Sequence, residues 1–263
     1  MKSRGVFEMS RLSAGVKPFR IYFFPRLRST NDHAAFLRRQ GRLFAPAIVV
    51  TPRQIAGRGR GNNTWFSKSG SGASLTVTFV LPLRERIPAP EIPLIAGLAV
   101  RDAAEELSGH RRIQLKWPND VICQGRKLAG LLCERVDRAD LIGVGLNVNL
   151  DPADAPANLR QRIISLKNLA GRTLDLTDTL TALADHLHQA MRTRLEQTFS
   201  VFLRRYREHD GLIGKSVIVT SGDEPPLAGK CQGVDDKGRL LVRRRGILHR
   251  VVAGTVILSG GGS

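Results

Sequence analysis

Gln54-Ile55-Ala56-Gly57-Arg58-Gly59-Arg60-Gly61-Asn62-Asn63-Thr64-Trp65 lies between Ala47-Ile48-Val49-Val50 and an alternating run from Ala73 to Leu81. Both flanks read as strands, so the Gly/Arg stretch is expected to be a loop leaving one strand and closing before the next. Its glycines permit tight backbone paths and leave amides bare, and Arg58 and Arg60 add charged donors, a composition that suits a compact anion such as a phosphorylated ligand. Gly/Arg runs also occur in flexible nucleic-acid-binding tails. The position between two strands favours an ordered ligand loop.

Outward from this stretch, Arg20-Ile21-Tyr22-Phe23-Phe24 reads as a strand, and Ser29-Thr30-Asn31-Asp32 offers capping oxygens for a helix that starts before Ala34. A ligand near that helix N-terminus would compete for the same groups. Trp65-Phe66-Ser67 is expected to close the loop against the core, and Ser69-Gly70-Ser71-Gly72 to turn. Alternation from Ser74 to Val80 predicts one apolar and one more polar strand face, with the threonines as a possible site floor. Leu94 to Leu107 reads as a buried helix, Lys127 to Glu134 and Asp140 to Leu150 as strands, and Leu180, Leu183, Leu187, Met191 and Leu195 as the core stripe of a helix capped by Thr177. A last helix spans about Phe199 to His209. The hairpins predict an antiparallel or mixed sheet, and no glycine fingerprint of a dinucleotide fold is present. From Leu212 the chain changes to four short strands, Lys215–Thr220, Leu227–Val234, Arg239–Arg243 and Val251–Leu258, with turns at Asp223, Asp236-Lys237-Gly238 and Arg245-Gly246; these predict a small barrel. Residues 1–18 have no sustained period and are expected to be flexible, residues 19–210 to form the main α+β domain, and residues 211–263 the small one.

The chain has 263 residues, 42% of them hydrophobic, and a net charge of +18 from 41 basic and 23 acidic residues. Residues 1–64 alone hold 13 basic and 2 acidic residues, a net +11, which keeps a nucleic-acid binder under consideration. Cys123, Cys133 and Cys231 are too few for a disulfide scaffold and lack zinc spacing, so reduced thiols and a cytoplasmic location are expected, with no protein metal site. No apolar run approaches a membrane span.

Lys116, before the rigid Trp117-Pro118 step and Asn119-Asp120, is the best single catalytic candidate. An ammonium held there neutralises a carboxylate and the phosphate it attacks, while Asn119 and Asp120 position that group or contribute to a magnesium environment. Standing alone, the segment also reads as an ordinary strand-to-turn lysine.

Taken with the Gly/Arg loop, it resembles the biotin protein ligase family. The matching pieces are Ser29-Thr30-Asn31, Gln54 with Ala56 to Arg60 and Trp65, Lys116 to Asp120, Arg126 to Leu132, and Gly143-Val144-Gly145-Leu146-Asn147-Val148-Asn149, in family order over nearly all of residues 20–258. The resemblance implies a catalytic domain like that of class II aminoacyl-tRNA synthetases, with a mixed sheet, and an SH3-like C-terminal β-barrel. It implies that Ser29, Thr30 and Gln54 bind the ureido ring of biotin, with Asn31 beside them. Gly57, Arg58, Gly59, Arg60 and Trp65 would belong to the loop that orders over biotin and adenylate. Lys116 would contact carboxylate and phosphate, with Arg58 and Arg60 as further catalytic cations. Asn119, Asp120, Lys127 and Gly130 would lie nearby, and Asn147 toward the adenine or phosphate region. Arg60-Gly61-Asn62-Asn63 departs from members with Arg-Arg-Gly-Arg at this point and leaves one cation fewer.

The implied reaction is biotinylation of a lysine on the biotin carboxyl carrier domain of a biotin-dependent carboxylase, through biotinyl-5′-adenylate, with biotin, ATP and Mg²⁺. The resemblance also implies a monofunctional member without an N-terminal DNA-binding domain, with no sequence-specific DNA binding, no membrane association, and a monomer or homodimer. A lipoate or octanoate ligase shares the lysine-modifying logic but needs fewer polar contacts to its acid. A nucleic-acid-binding module fits the charge, yet aromatic residues make up only 5% of the chain, too few for clustered base stacking.

Overall fold

The computed structural model describes residues 6–61, 63–68, 72–84, 87–222 and 224–259. The expected turns at Ser69-Gly70-Ser71 and Asp223 fall outside them. The chain runs through α1 (Met9–Gly15), β1 (Arg20–Phe23), α2 (Thr30–Arg39) and β2 (Ala47–Thr51), then two short strands within the Gly/Arg stretch, β3 (Gly57–Arg58) and β4 (Thr64–Trp65). Next come β5 (Ser74–Pro82), α3 (Ile92–Ser108), β6 (Ile113–Lys116), β7 (Asp120–Cys123), β8 (Arg126–Val136) and β9 (Ala139–Asn147). Helices α4 (Ala157–Arg160), α5 (Leu166–Ala170), α6 (Leu176–Glu196) and α7 (Phe199–Glu208) follow. The chain then forms β10 (Ser216–Thr220), β11 (Leu227–Val234), β12 (Leu240–Arg244), β13 (Ile247–Val251) and β14 (Thr255–Leu258).

Seven strands form one sheet in the order β1-β2-β5-β9-β8-β7-β6. Only β1 and β2 pair in parallel, so the α+β class and the mixed sheet hold. Helix α2 covers one face, α3 the other, and α6 packs on α3. Coverage on both faces explains why β5 is buried from Ser74 to Leu81 instead of alternating. Its threonines are therefore not a site floor. Thr76 Oγ1 donates to Thr51 O at 3.0 Å and Thr78 Oγ1 to Asn31 Oδ1 at 2.6 Å.

The cap of α6 is Asp175, accepting from the amides of Thr177 and Asp178, and not Thr177, whose hydroxyl accepts from Glu8 N at 3.0 Å. That bond ties down the N-terminal segment, where Phe7, Leu12 and Val16 are buried in the main core and α1 lies on α6. One turn of helix places Leu12 and Val16 on the same side, a spacing too short to register as a period in the sequence.

The C-terminal strands form an open sheet ordered β13-β12-β11-β10-β14, and no pairing joins β13 to β14; the expected barrel closure is absent. All four pairings are antiparallel, so β13 and β14 run in the same direction at opposite edges. Three residues link them, whereas side-by-side parallel pairing needs a crossover of a dozen or more. The expected strand from Val251 to Leu258 is thus two strands' worth of chain broken at Val252 to Gly254, and Arg245-Gly246, both at positive φ, makes the preceding hairpin turn. The sheet's inner face, including Val217, Cys231, Leu240, Val242 and Val256, joins the same core as α3 and Trp117. Trp117 Nε1 donates to Gly238 O at 3.0 Å across that junction.

Candidate functional site

The site is built from three pieces of backbone that the large sheet brings together. The N-terminus of α2 supplies Ser29, which caps the helix by accepting from Asp32 N at 3.3 Å, and Thr30. Gln54 Oε1 accepts from Thr30 N at 2.9 Å and from Thr30 Oγ1 at 3.3 Å, which ties the end of β2 to that helix and leaves the Gln54 NH₂ as a donor. Gly57 must be glycine here, because a Cβ would come 2.6 Å from Gln54 Nε2 and 2.8 Å from Trp65 O.

The Gly/Arg stretch is an ordered hairpin. Gly57 pairs with Trp65 and Arg58 with Thr64, Gly59 N donates to Asn63 O at 2.8 Å, and Gly61 turns at φ +59°. The hairpin lays the Trp65 ring on β8 and β9: a Cβ on Gly145 would collide with the indole, and one on Gly130 would come 3.2 Å from it. Lys127 Nζ sits 5.6 Å from the ring centroid. Trp65 Nε1 is buried with no partner among the described residues, a cost that a ligand acceptor would remove.

The third piece is the β6–β7 hairpin, on which Lys116 and Asp120 stand opposite each other. Asp120 Oδ1 pairs with Lys127 Nζ at 2.6 Å, and Lys116 forms no ion pair among the described residues. Burial pushes the Lys116 ammonium below the ordinary lysine value. Asp120 offsets part of this, and Lys127 and Arg162 add to it. Asn119 braces the turn, donating from Nδ2 to Leu131 O at 2.5 Å while its own carbonyl accepts from Leu131 N.

Together these enclose a cavity of about 380 Å³. Ser29, Thr30, Asn31, Gln54, Arg58, Gly59, Arg60, Trp65, Lys116, Asn119, Asp120, Lys127 and Gly130 all line it. Four cations and one carboxylate among the lining residues make it an anion site. Burial lowers the Arg60 proton affinity below the ordinary arginine value, and its Nη1 donates to Gly254 O at 3.4 Å.

Two expected residues do not line it. Gly57 acts through the close packing just described. Asn147 is buried behind β8, donating to Lys127 O at 3.3 Å and Ile164 O at 3.2 Å, so it braces the lysine's strand. Asn31 lines the wall with its amide spent, donating to Leu132 O and Glu134 Oε2 and accepting from Thr78. Sequence reasoning missed Thr64, Gly143 and Gly145. It also missed Thr220, Gly222, Gly254, Thr255 and Val256, which the C-terminal sheet contributes. The Gly-Val-Gly spacing was a signal for the first glycines; nothing local marks the C-terminal residues. Among the described residues, no cluster of three or more His, Cys, Asp or Glu could hold a metal ion, and no helix is long and apolar enough to cross a membrane.

Comparison with known proteins agrees with this geometry. The model of the Biotin/lipoate A/B protein ligase family matches residues 23–151, and that of the Biotin protein ligase C terminal domain matches residues 212–259. The bifunctional ligase/repressor BirA of Escherichia coli (strain K12) is 30% identical over 241 residues, covering 89% of this chain and 72% of its own length. The chain belongs to the biotin protein ligase family. Another relative, the bifunctional ligase/repressor BirA of Bacillus subtilis (strain 168), is 29% identical over 219 residues, 80% of this chain; the match spans 66% of that relative's length. Among solved biotin protein ligases, the Aquifex aeolicus enzyme in complex with biotin and ATP superposes with a TM-score of 0.80 at 25% identity, over 91% of this chain and 98% of that one.

Proposed function

We propose that this chain joins biotin to a lysine of a biotin carboxyl carrier domain in two steps, of which the first consumes ATP. In the first, a biotin carboxylate oxygen attacks the α-phosphorus of ATP, giving biotinyl-5′-adenylate and releasing pyrophosphate. In the second, the acceptor amine, having lost its proton, attacks the activated carbonyl, forming the amide as AMP leaves. The observation that carries the reading is that one cavity is lined both by a neutral group, Ser29, Thr30 and Gln54, joined at the N-terminus of α2, and by the cations Lys116, Lys127 and Arg60, gathered around Asp120.

The neutral group suits a ureido ring, whose carbonyl and two N–H groups need polar partners where Ser29, Thr30 and Gln54 are themselves buried. Lys116 and Lys127 offset charge gathering on the carboxylate and α-phosphate, and Arg60 adds a third cation from the hairpin. Mg²⁺ would enter with ATP, as part of the substrate, and Asp120 is the carboxylate among the lining residues. The β3–β4 hairpin excludes water from an acyl phosphate anhydride that hydrolyses when exposed. A cytoplasmic location belongs to the same reading and is supported by three free thiols.

The test is mass spectrometry of a carrier domain incubated with the chain, biotin, ATP and Mg²⁺, beside lipoate and octanoate. Modification of a single lysine with biotin alone supports the reading. Modification with lipoate or octanoate in its place replaces it with the other branch of the matched family.

A further inference from the structure

Arg58 sits among the cavity's cations, but its surroundings give it different work. Its Nη2 lies 2.7 Å from Asp32 Oδ1 and 2.9 and 3.0 Å from the two oxygens of Glu134. Glu134 Oε2 also accepts from Asn31 Nδ2 at 2.8 Å. Asn31 is rooted deeper still: its Nδ2 reaches Leu132 O at 3.0 Å, and its Oδ1 accepts from the fully buried Thr78 hydroxyl. One chain of bonds therefore runs from the centre of the sheet at β5, through the first turn of α2 and β8, to the β3–β4 hairpin. Gly143 makes room for it, since a Cβ there would collide with Asn31 Oδ1.

Two carboxylates share one guanidinium, so little of the Arg58 charge is left for a phosphate. Burial alone would lower its proton affinity, and Glu134 and Asp32 more than restore it. Arg60, two residues on, has no carboxylate partner among the described residues and is the hairpin cation that remains free to meet an anion.

We propose that Glu134 is a positioning residue for the ligase reaction: it holds Arg58 as an anchor, which keeps the β3–β4 hairpin across the N-terminus of α2 and fixes where Gln54, Thr30 and Trp65 meet biotin. Arg58 in this arrangement is a strap, and Arg60, Lys116 and Lys127 carry the phosphate chemistry. The inference rests on the function proposed above.

Its consequence is selective. Loosening the strap disturbs the biotin end of the cavity first and the ATP end much less, because β6, β7 and β8 supply Lys116, Asp120 and Lys127 there and the hairpin supplies only Arg60. Arg58 and Glu134 are both partly exposed, so the loss is moderate. In biotin-dependent ATP/pyrophosphate exchange, Glu134→Gln is expected to raise KM for biotin about tenfold and leave KM for ATP within about twofold. Arg58→Ala is expected to give a similar rise. In the Arg58→Ala background Glu134→Gln then adds less than about twofold, because Glu134 acts through Arg58. Glu134→Asp, which keeps the charge but withdraws it by one methylene, gives the same biotin-selective rise and stands in if Glu134→Gln fails to fold. A change in both KM values alike, an unchanged KM for biotin, or full additivity with Arg58→Ala overturns the proposal. If the wild-type chain shows no exchange with biotin, the proposed function itself fails; wild-type exchange with unaffected Glu134 variants overturns only this inference.

Discussion

Lys116 stands opposite Asp120 on the β6–β7 hairpin, yet the carboxylate pairs with Lys127, leaving Lys116 half-buried beside two other cations. An ammonium held below its ordinary proton affinity in the free site regains it when a carboxylate and phosphates arrive, so its binding energy is spent where charge develops. Lys116→Ala is therefore expected to lower adenylate formation at least about 100-fold. Arg244→Ala, an exposed residue on β12, leaves it within about twofold, and pyrophosphate exchange measures both. The sign of the pH dependence follows from the same burial. The ammonium is present below the folded pKa and lost as pH rises through it, and that pKa is lowered. The alkaline limb of kcat/KM, which reports the free enzyme, is thus expected to fall below the ordinary lysine value. A limb at or above that value contradicts the burial argument. Lys116, Asp120 and Lys127 were legible because they belong to contiguous motifs. The competition among them was not, because it depends on which of two lysines reaches Asp120 in space.

At the scale of elements, strands β8 and β9 form the floor on which the Trp65 ring rests, and Gly145 is where the backbone must come close. Gly145→Ala is expected to displace the indole and raise Kd for biotin at least about tenfold with the fold retained, since the added Cβ meets the ring and not the core. Titration by calorimetry checks it. An unaltered biotin affinity would mean that Trp65 does not shape the pocket. The longer helices α2, α3, α6 and α7 and most strands could be read from period and capping residues, and so could an ordered loop between β2 and β5; the short helices and the hairpin pairing within that loop could not. The polar face expected on β5 failed for a physical reason. Thr76 and Thr78 satisfy their hydroxyls on neighbouring backbone and on Asn31, so helix coverage on both faces costs them little.

Over the whole molecule, the C-terminal sheet is continuous with the catalytic core and closes one side of the cavity through Thr220, Gly254 and Thr255. Neither its open edges nor its share in the site could be read locally, because both depend on the direction in which β14 leaves Gly254. Asp210 lies at this junction, bridged to Leu115 beside Lys116, with Oδ2 unpartnered among the described residues and its carboxyl pushed up by burial. A carboxyl whose folded pKa is raised favours the fold when protonated, and that contribution is lost as pH rises through the folded pKa. Asp210→Asn keeps the acceptor for Leu212 N and removes the charge, so it is expected to stabilise the protein at pH 7 by about 1 kcal/mol, with the gain shrinking as pH falls. Thermal unfolding across pH decides this, and a destabilised variant would show that the charge is needed at the junction. The most direct test of the account as a whole is ATP/pyrophosphate exchange by the purified chain with Mg²⁺, with biotin, lipoate or octanoate as the acid. Exchange with biotin alone, abolished in Lys116→Ala, is the predicted result; exchange that needs no biotin, or none with any of the three acids in folded protein, would contradict it.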